Sequence, residues 1–337
     1  MLPLPLPPNI VPRFYRGGSA LGRFRGTALD AYAGEDWVGS TTLAAERTGD
    51  LGLSRLVDGE LLADAIERDP VGFLGADHVA AFGPSLEVLV KLLSPDQRLP
   101  VHLHPTQAVA REHLGCAHGK TEAWLVIEAP DDGCVYLGFS AGVEAQTLAD
   151  WVSRQDSNAM IGALNRLPVR AGDCILVPAG TPHAVGPGTL TVELQEPTDF
   201  SVLLEWTGFA VADPSTWDAG LGTDVALALV DRTGWTAERV QTVWQHSPRP
   251  VGPGRASMLP APADPFFRAE EVVDGAVLAD SVSVLVVIAG TLDLAGPDGT
   301  THVTRGETWL LPYSSGPLQV SGSGRAIRCL PPGSLRL

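Results

Sequence analysis

Short hydrophobic runs, separated by glycine, proline and polar turn residues, recur along most of the chain. Runs of this length with turn signals between them are typical of β-strands. The strands predicted before residue 210 are 85–93, 101–104, 122–128, 134–138, 174–177, 189–194 and 200–206. Residues 266–337 continue the pattern, so the sequence predicts a mainly β-sheet protein.

Apolar residues spaced three and four apart predict a smaller number of helices. They lie at 60–68, 106–114, 146–154 and 159–164, and the most helical part of the chain is 211–246. Pro214 fits the first turn of a helix there, because its fixed backbone angle suits that position. Residues 247–265 are rich in proline and glycine and predict a linker.

A weak internal repeat joins the two strand-rich parts of the chain. The pattern G-x5-P runs from Gly172 to Pro178 and again from Gly306 to Pro312, each time after a hydrophobic strand and a turn. Two copies of a small β-barrel with a helical insert explain this pattern, although so short a motif also recurs by chance. The predicted domains are 1–210, a helical segment and linker at 211–250, and a second barrel at 251–337.

Composition narrows the possible partners of this folded protein. The 337 residues are 45% hydrophobic and only 18% charged, which excludes general disorder. The formal net charge of −16 disfavours nucleic acid and anionic membrane surfaces as partners. The longest apolar run, 284–289, is far too short to span a membrane.

Cysteine content and the N-terminal segment bear on the cellular compartment. Four scattered cysteines with no C-x-x-C pair predict neither a disulfide framework nor a cysteine-based zinc site. The first eighteen residues are broken by prolines and lack a basic region, so no secretory signal is expected. We therefore expect a cytoplasmic protein, either a monomer or a small homo-oligomer.

The clearest chemical signal is the pair His102 and His104. Residues i and i+2 of a strand point to the same face, so both imidazoles project into one space and can chelate a cation. Two hydrogen-bonded histidines without a metal are the simpler alternative. A second pattern, G-x5-P-x-G-x2-H ending at His183, matches the second signature of cupin barrels and favours the metal site.

A divalent ion bound by three histidines favours a carboxylate as fourth ligand. Glu112 is the nearest downstream candidate, but it lies in a predicted helix that leads away from the strand. Glu122 opens the next strand and is the better candidate. At the matching place in the second barrel, after Pro312, there is no histidine, so that barrel is predicted to lack metal ligands.

These motifs together resemble the type I phosphomannose isomerases (mannose-6-phosphate isomerases), in their short bacterial form within the cupin superfamily. The family motifs Q-V-H-P, G-K-T-E-x-W and P-A-G-T-x-H-A-x-G match residues 102–105, 119–124 and 178–186, and E-x-Q-x-S-D resembles residues 193–199 with one extra residue. Residues 16–18 and 34–37 resemble W-G-G and G-E-x-W, and 305–312 resemble the closing strands. The resemblance thus covers nearly the whole chain.

The resemblance implies two cupin (jelly-roll) barrels and a metal-dependent aldose–ketose isomerase that converts mannose 6-phosphate to fructose 6-phosphate through an enediol. Carried over residue by residue, the metal ligands are His102, His104, Glu122 and His183; the family has glutamine where this chain has His102. The implied metal is zinc, while three histidines and one glutamate also suit Mn, Fe, Co or Ni.

Two further residues are candidates for catalysis. Glu193 is expected to move the proton, unless its carboxylate is only structural, and Lys120 is expected to orient the sugar, unless it only pairs with a ligand carboxylate. The expected substrate-binding residues are Lys91, Arg16, Glu35 and Trp37. A metal cupin oxygenase and a non-catalytic sugar-binding protein are the alternatives from other classes.

The chain departs from the family where phosphate is held. The family's serine before the metal strand is Pro100 here, and residues 199–206 lack the family's arginine, while Glu205 adds negative charge. Either Lys91, Lys120 or Arg16 rebuilds a phosphate site, or the substrate is an uncharged sugar such as mannose, lyxose or fructose. The expected partner is therefore a small sugar or sugar phosphate.

Overall fold

The computed structural model describes residues 1–45 and 49–333 and confirms a mainly β-sheet protein. In the first 210 residues the strands are β1 (Leu4–Pro5), β2 (Ile10–Val11), β3 (Glu35–Val38), β4 (Leu89–Leu93), β5 (His102–Leu103), β6 (Glu122–Glu128), β7 (Cys134–Phe139), β8 (Leu164–Pro168), β9 (Cys174–Val177), β10 (His183–Val185), β11 (Leu190–Gln195) and β12 (Val202–Leu203).

The later strands of the described residues begin beyond the helical part of the chain. They are β13 (Trp244–Gln245), β14 (Arg249–Gly252), β15 (Arg255–Ser257), β16 (Arg268–Val272), β17 (Val277–Leu278), β18 (Ser283–Ala289), β19 (Thr291–Gly296), β20 (Gly299–Thr304), β21 (Thr308–Leu311), β22 (Leu318–Gly322) and β23 (Arg325–Leu330).

Helices cover less of the described chain than strands do. The α-helices are α1 (Ser19–Arg25), α2 (Leu62–Arg68), α3 (Pro70–Leu74), α4 (Ala76–Phe82), α5 (Gln107–Leu114), α6 (Ala145–Arg154), α7 (Ser157–Ala163), α8 (Thr223–Leu229) and α9 (Ala237–Val243). Among the described residues, each helix is too short or too polar to cross a bilayer.

Four antiparallel sheets, paired into two lobes, make up the described strands. In the first lobe the sheet β13-β9-β6-β11-β4-β3-β2 packs against β12-β5-β10-β7-β8. In the second lobe, β1-β21-β18-β23-β16-β15-β14 packs against β17-β22-β19-β20. The predicted barrels are therefore pairs of facing sheets, and within the described residues no sheet closes on itself.

The two large sheets share one hydrophobic core between the lobes. Val38 and Leu92 of the first lobe and Val284 and Leu310 of the second are buried in the same apolar cluster. β1 strengthens this connection, because Leu4 pairs with Leu310 although 305 residues lie between them in the chain. The lobes are thus joined both by side-chain packing and by backbone hydrogen bonds.

The predicted linker at 247–265 is wrong over its first half. Residues Arg249–Gly252 and Arg255–Ser257 form a hairpin that extends the large sheet of the second lobe. Proline and glycine suggested a linker, but β14 is an edge strand, where a proline costs no ladder hydrogen bond. The predicted domain limits stay a prediction, and residues 334–337 of the last one lie outside the described residues.

Candidate metal centre

Three histidines meet between the two sheets of the first lobe. His102 on β5 lies directly opposite His183 on β10, and His104 follows two residues later on the same face. Their ligand nitrogens all lie within 4.8 Å of one another, and all three residues are buried. The strand pairing therefore brings together the histidines that the sequence predicted as ligands.

Each imidazole is oriented by a backbone carbonyl. The Nδ1 atoms of His102, His104 and His183 lie 2.9, 2.8 and 2.8 Å from the carbonyl oxygens of Pro100, Phe200 and Thr181. A carbonyl can only accept, so Nδ1–H donates and each Nε2 carries a free lone pair. This is the arrangement that fixes the tautomer of metal-ligating histidines.

The Nε2 atoms crowd together in a way that suits a cation. Those of His102 and His183 are only 3.1 Å apart. Burial lowers the pKa of His104 to about 3, with the charge of Lys120 as the next cause, and burial lowers the pKa of His102 as well. Both rings are therefore neutral at pH 7, as metal binding requires.

Glu122 supplies the carboxylate of this donor set. Its Oε2 lies 3.0 Å from Nε2 of His104 and its Oε1 lies 3.3 Å from Nε2 of His183. Burial alone would raise its pKa, but Lys120 and the neighbouring imidazoles hold the pKa well below the usual range. Three imidazole nitrogens and one ionised carboxylate converge, which fits a divalent metal such as zinc.

Lys120 reaches the same point from the segment before β6. Its Nζ lies 3.1 Å from Nε2 of His104 and 3.3 Å from Oε2 of Glu122, and the side chain is buried. The sequence predicted this lysine as either a substrate contact or an ion-pair partner of a ligand carboxylate. The geometry shows the ion pair, and the substrate contact stays a prediction.

A buried carboxylate, Glu196, holds the backbone on both sides of Lys120. Its Oε1 accepts hydrogen bonds from the side chain of Gln107 at 2.7 Å and from Gly119 N at 3.3 Å. Its Oε2 accepts one from Thr121 N at 2.8 Å. Sequence analysis missed this residue, because its partners lie about 75–90 positions away. Glu196 is thus a positioning residue for the lysine segment.

A second charged cluster lies beside the ligands on β3, β4 and β11. Trp37, Lys91 and Glu193 are direct cross-strand neighbours. Lys91 Nζ lies 3.4 Å from Glu35 Oε2 and 3.6 Å from Glu193 Oε1, and 4.7 Å from the centre of the Trp37 ring. The sheet register thus gathers four residues that the sequence assigned to substrate or catalysis.

Glu193 and Glu35 have opposite electrostatic environments. Burial, with the charge of Glu122 as the next cause, raises the pKa of Glu193 to about 7. Burial would also raise the pKa of Glu35, but Lys91, Arg13 and hydrogen bonds from Tyr15 and Trp37 lower it to about 2. Glu193 can exchange a proton near neutral pH, whereas Glu35 stays ionised and anchors the cations.

Two charged residues of the cluster were not assigned a role from the sequence. Arg13 Nε lies 3.4 Å from Glu35 Oε1, and Arg13 Nη1 lies 3.3 Å from Asp199 Oδ2. Asp199 ends the matched motif at 193–199, which is a signal that could have marked it. Arg13 carries no such signal, and tertiary contacts alone bring it to the site.

Arg16 and Trp37 do not line the cavity beside the histidines. Arg16 lines a separate surface groove with Asp96 and Tyr32, not the cavity beside the histidines. Trp37 is fully buried beneath Lys91 and donates its ring N–H to Glu35 at 2.7 Å. Their predicted contact with substrate stays a prediction that this placement does not favour.

Glu205 does not add an unbalanced negative charge. Arg98 binds both of its carboxylate oxygens, at 2.7 and 2.8 Å, and Val101 N donates to it at 2.9 Å. The expectation from the sequence is therefore corrected, because a local arginine neutralises the carboxylate. This pair fixes the backbone at the beginning of the strand that carries His102.

The cavity between these two clusters is small. Its volume is about 30 Å³, room for roughly two or three water molecules. Segments 13–15 and 99–102 and the inward side chains of the first-lobe sheets enclose it. Lys91, Lys120 and Glu193 all face this space, so metal ligands and ionisable groups share one enclosure.

These features define a two-lobed, mainly β-sheet protein with a buried three-histidine, one-glutamate centre suited to a divalent metal. The class is matched by known proteins: the chain has the fold of mannose-6-phosphate isomerases and resembles them in sequence. The structure of the mannose 6-phosphate isomerase from Bacillus subtilis superimposes with a TM-score of 0.76 at 21% identity, covering 98% of this chain and 99% of that one. The apo form from Salmonella typhimurium gives 0.72 at 17% identity, covering 99% and 100%.

Curated relatives carry the same name. A 202-residue segment is 33% identical to GmuF of Bacillus subtilis (strain 168), named a probable mannose-6-phosphate isomerase. A 140-residue segment is 36% identical to the mannose-6-phosphate isomerase of Streptococcus mutans. These matches cover 58 and 39% of this chain, and the chain spans about half the length of the relatives, 59 and 41%. No protein-family model matches the chain. The resemblance to phosphomannose isomerases is thereby confirmed.

Proposed function

We propose that this protein is a metal-dependent aldose–ketose isomerase that interconverts mannose 6-phosphate and fructose 6-phosphate. The observation that carries the proposal is the juxtaposition of the metal centre with Glu193, whose pKa of about 7 suits proton transfer. The names of the relatives support the same substrate. Isomerisation through an enediol needs both features: a group that stabilises negative charge on the sugar oxygens, and a base whose pKa lies near 7.

His102, His104, Glu122 and His183 would hold the metal, which we take to be zinc. A divalent ion there supplies electrophilic stabilisation of the negative charge that develops on the sugar oxygens. The four side chains are already oriented by their carbonyl partners and by Lys120, so little reorganisation accompanies binding.

Glu193 is the proposed base. In the aldose-to-ketose direction its carboxylate takes the proton from C2 of the open-chain sugar, which leaves the electron pair in a C1–C2 double bond. It then returns the proton to C1, while a second proton moves from the C2 hydroxyl to the C1 oxygen. Lys120 donates hydrogen bonds to the reacting oxygens and orients the sugar. C1 is reduced and C2 is oxidised within the same molecule, so no external oxidant or reductant is needed.

Substrate entry requires the cavity to widen. Ligand sites in proteins are commonly about 300–1,000 Å³, roughly ten times or more the 30 Å³ found here. The sugar therefore enters by displacing side chains around segments 13–15 and 99–102, whose residues enclose the space. Closure over the bound sugar would exclude water from the proton transfer.

An uncharged sugar is the second candidate substrate, and one observation favours it. Each cation facing the cavity already contacts a carboxylate: Arg13 and Lys91 contact Glu35, and Lys120 contacts Glu122. A phosphate dianion would have to compete for these cations. The test is kcat/KM for mannose 6-phosphate and for mannose on one preparation; a strong preference for mannose would establish this candidate instead.

The proposed function is tested by metal analysis together with an isomerase assay on the full chain. We expect about one equivalent of divalent metal, conversion of mannose 6-phosphate to fructose 6-phosphate, and loss of both metal and activity in Glu122→Ala. Arg325→Gln, an exposed change in the second lobe, is the matched control. A metal-loaded protein that isomerises no sugar would contradict the proposal and point to an oxygenase or a sugar-binding protein.

A further inference from the structure

The second lobe repeats the strand register of the metal-bearing lobe residue by residue. In the first lobe Gly172 N donates to the carbonyl of Val126 at 2.9 Å, and in the second Gly306 N donates to the carbonyl of Val287 at 3.0 Å. Gly172 therefore corresponds to Gly306 and Val126 to Val287. Four residues earlier on each strand, the metal-ligand position occupied by Glu122 corresponds to Ser283.

The neighbouring strand extends this correspondence to the proposed base. Glu193 pairs with Trp124, and Arg328 pairs with Leu285, in sheets of the same strand order. Trp124 and Leu285 are themselves equivalent, since each lies two residues before the matched valine. Arg328 of β23 therefore stands where Glu193 stands in the first lobe.

The two remaining charged positions are reversed as well. Glu270 pairs with Arg328 just as Lys91 pairs with Glu193. On the next strand of each sheet, Arg255 of β15 stands at the position that Glu35 holds on β3, because each pairs with the residue two positions after the matched Glu270 or Lys91. The lysine between two glutamates has become a glutamate between two arginines. The second lobe thus retains a charged cluster at the equivalent place, with the signs of these three residues inverted.

Arg328 is buried without a carboxylate partner. It is 3% exposed, and in the described part of the chain it forms no ion pair. Its Nε donates to Ser283 Oγ at 2.9 Å, and its Nη2 donates to the carbonyls of Ala279 and Ser281 at 2.8 and 3.1 Å. Its Nη1 has no hydrogen-bond acceptor among the described residues. Burial lowers the pKa of this guanidinium to about 10, yet it remains cationic at pH 7.

The nearest carboxylate is already engaged. Both oxygens of Glu270 accept from Arg255, at 2.9 and 3.0 Å, and Arg268 on the same strand adds a third guanidinium. The other acids whose charge reaches the cluster, Asp264 and Asp280, lie on its exposed rim. The side chain of Arg255 is 25% exposed, so solutes can approach the cluster from that side.

We propose that Arg328, with Arg255 and Arg268, forms a binding site for a small oxyanion, either free phosphate or the phosphate group of a phosphorylated sugar. Guanidinium groups bind phosphate oxygens in a planar, charge-assisted geometry. A buried cation without a counter-ion is costly, and a bound anion would remove that cost. The site does not depend on the isomerase reaction, because it lies in the other lobe.

The test measures inorganic phosphate binding to the metal-loaded full chain by calorimetry at constant ionic strength. We expect saturable binding that weakens by about 10–100-fold in Arg328→Gln, the effect of losing a hydrogen bond to a charged group. Glu270→Gln should tighten binding, because it removes the competing carboxylate. Arg325→Gln, on the same strand but exposed, is the control and should bind as the wild type does.

These variants separate a site from a purely structural arginine. Equal phosphate affinity in the wild type, Arg328→Gln and Glu270→Gln would overturn the proposal, and would also be the result if phosphate bound only beside the metal centre. Should Arg328→Gln not fold, Arg255→Gln serves instead, since it releases Glu270 to pair with Arg328 and should abolish binding. Sorbitol 6-phosphate distinguishes the source, but it can also bind in the first lobe, so only the part of its binding that Arg328→Gln removes is compared with phosphate. A part that is tighter than phosphate assigns a sugar phosphate, and an equal part assigns the free anion.

Discussion

The Nζ atom of Lys91 lies 3.6 Å from Oε1 of Glu193, its direct partner across β4 and β11. The lysine is shared with Glu35 at 3.4 Å, so it stabilises only part of the negative charge on Glu193. Burial and Glu122 outweigh it, which keeps the pKa of Glu193 near neutrality. The cross-strand pair therefore holds Glu193 in place without making it a permanently ionised group.

Replacing Glu193 by glutamine should lower kcat by about 10²–10⁴-fold, the usual contribution of a general base. Metal content should stay at the wild-type level, because Glu193 is not among the proposed ligands. The assay is isomerisation of mannose 6-phosphate under saturating conditions, alongside metal analysis of the same sample. An unchanged kcat would remove Glu193 from the mechanism.

The same carboxylate should set an acidic limb in the pH profile of kcat/KM. Glu193 acts as a base only when ionised, so activity should fall as pH falls through its pKa. That pKa is about 7 from burial and the neighbouring carboxylate, and a bound divalent ion lowers it toward the ordinary 4.5. We expect a midpoint between these values in steady-state kinetics. A profile that is flat from pH 7 to 4.5 in a stable protein would contradict this assignment.

His183→Ala should remove most of the metal and with it the activity. The variant removes one nitrogen ligand from the set that includes Glu122 and His102, so a bound metal would have an incomplete coordination shell. Metal per chain, measured by plasma emission after dialysis, is the readout. His302→Ala is the matched control, because His302 is 62% exposed and pairs with Asp293, away from the candidate site. Full metal occupancy in His183→Ala would show that the ligands lie elsewhere.

Glu196→Gln tests the positioning of Lys120. The change removes the negative charge that two backbone N–H groups share, each such bond being worth about 1.5–3 kcal/mol. We expect kcat/KM to fall by roughly 10–100-fold while metal occupancy is kept. Glu128→Gln, at the far end of β6 from Lys120, should leave both unchanged. Because Glu196 does not face the cavity, a loss confined to folding stability, with kcat/KM intact, would refute the positioning role.

Glu35 should stabilise the fold in a pH-dependent way. Its pKa is about 2 in the folded state against an ordinary 4.5, so its contribution is present above about pH 4.5 and is lost as pH falls toward 2. Glu35→Gln should lower the free energy of unfolding at pH 7 by about 3–5 kcal/mol, because Arg13 and Lys91 lose a buried partner. Urea titrations at pH 7 and pH 4 should show the difference shrinking, whereas Glu60→Gln, an exposed pair with Arg68, should change little at either pH.

The meeting of the three histidines could be predicted because their spacing follows strand geometry. His102 and His104 share a face by alternation, and the turn after Pro178 has a recognisable pattern that ends at His183. Arg13 and Glu196 could not, because strand pairing and packing bring them to partners far away in the chain. The linker predicted at residues 249–257 was wrong for a different reason. Edge strands tolerate proline, and the sequence does not reveal which strand lies at an edge.

The pairing of β1 with β21 has a consequence for the order of events during synthesis. Leu4 leaves the ribosome 306 residues before its partner Leu310, an interval of roughly 15–60 s at about 5–20 residues per second. Until Leu310 is made, β1 lacks the strand with which it pairs in the described residues and the large sheet of the second lobe is incomplete. The lobe with the candidate metal centre can therefore fold first. Folding of the second lobe is thereby completed by pairing with a strand that was made 306 residues earlier.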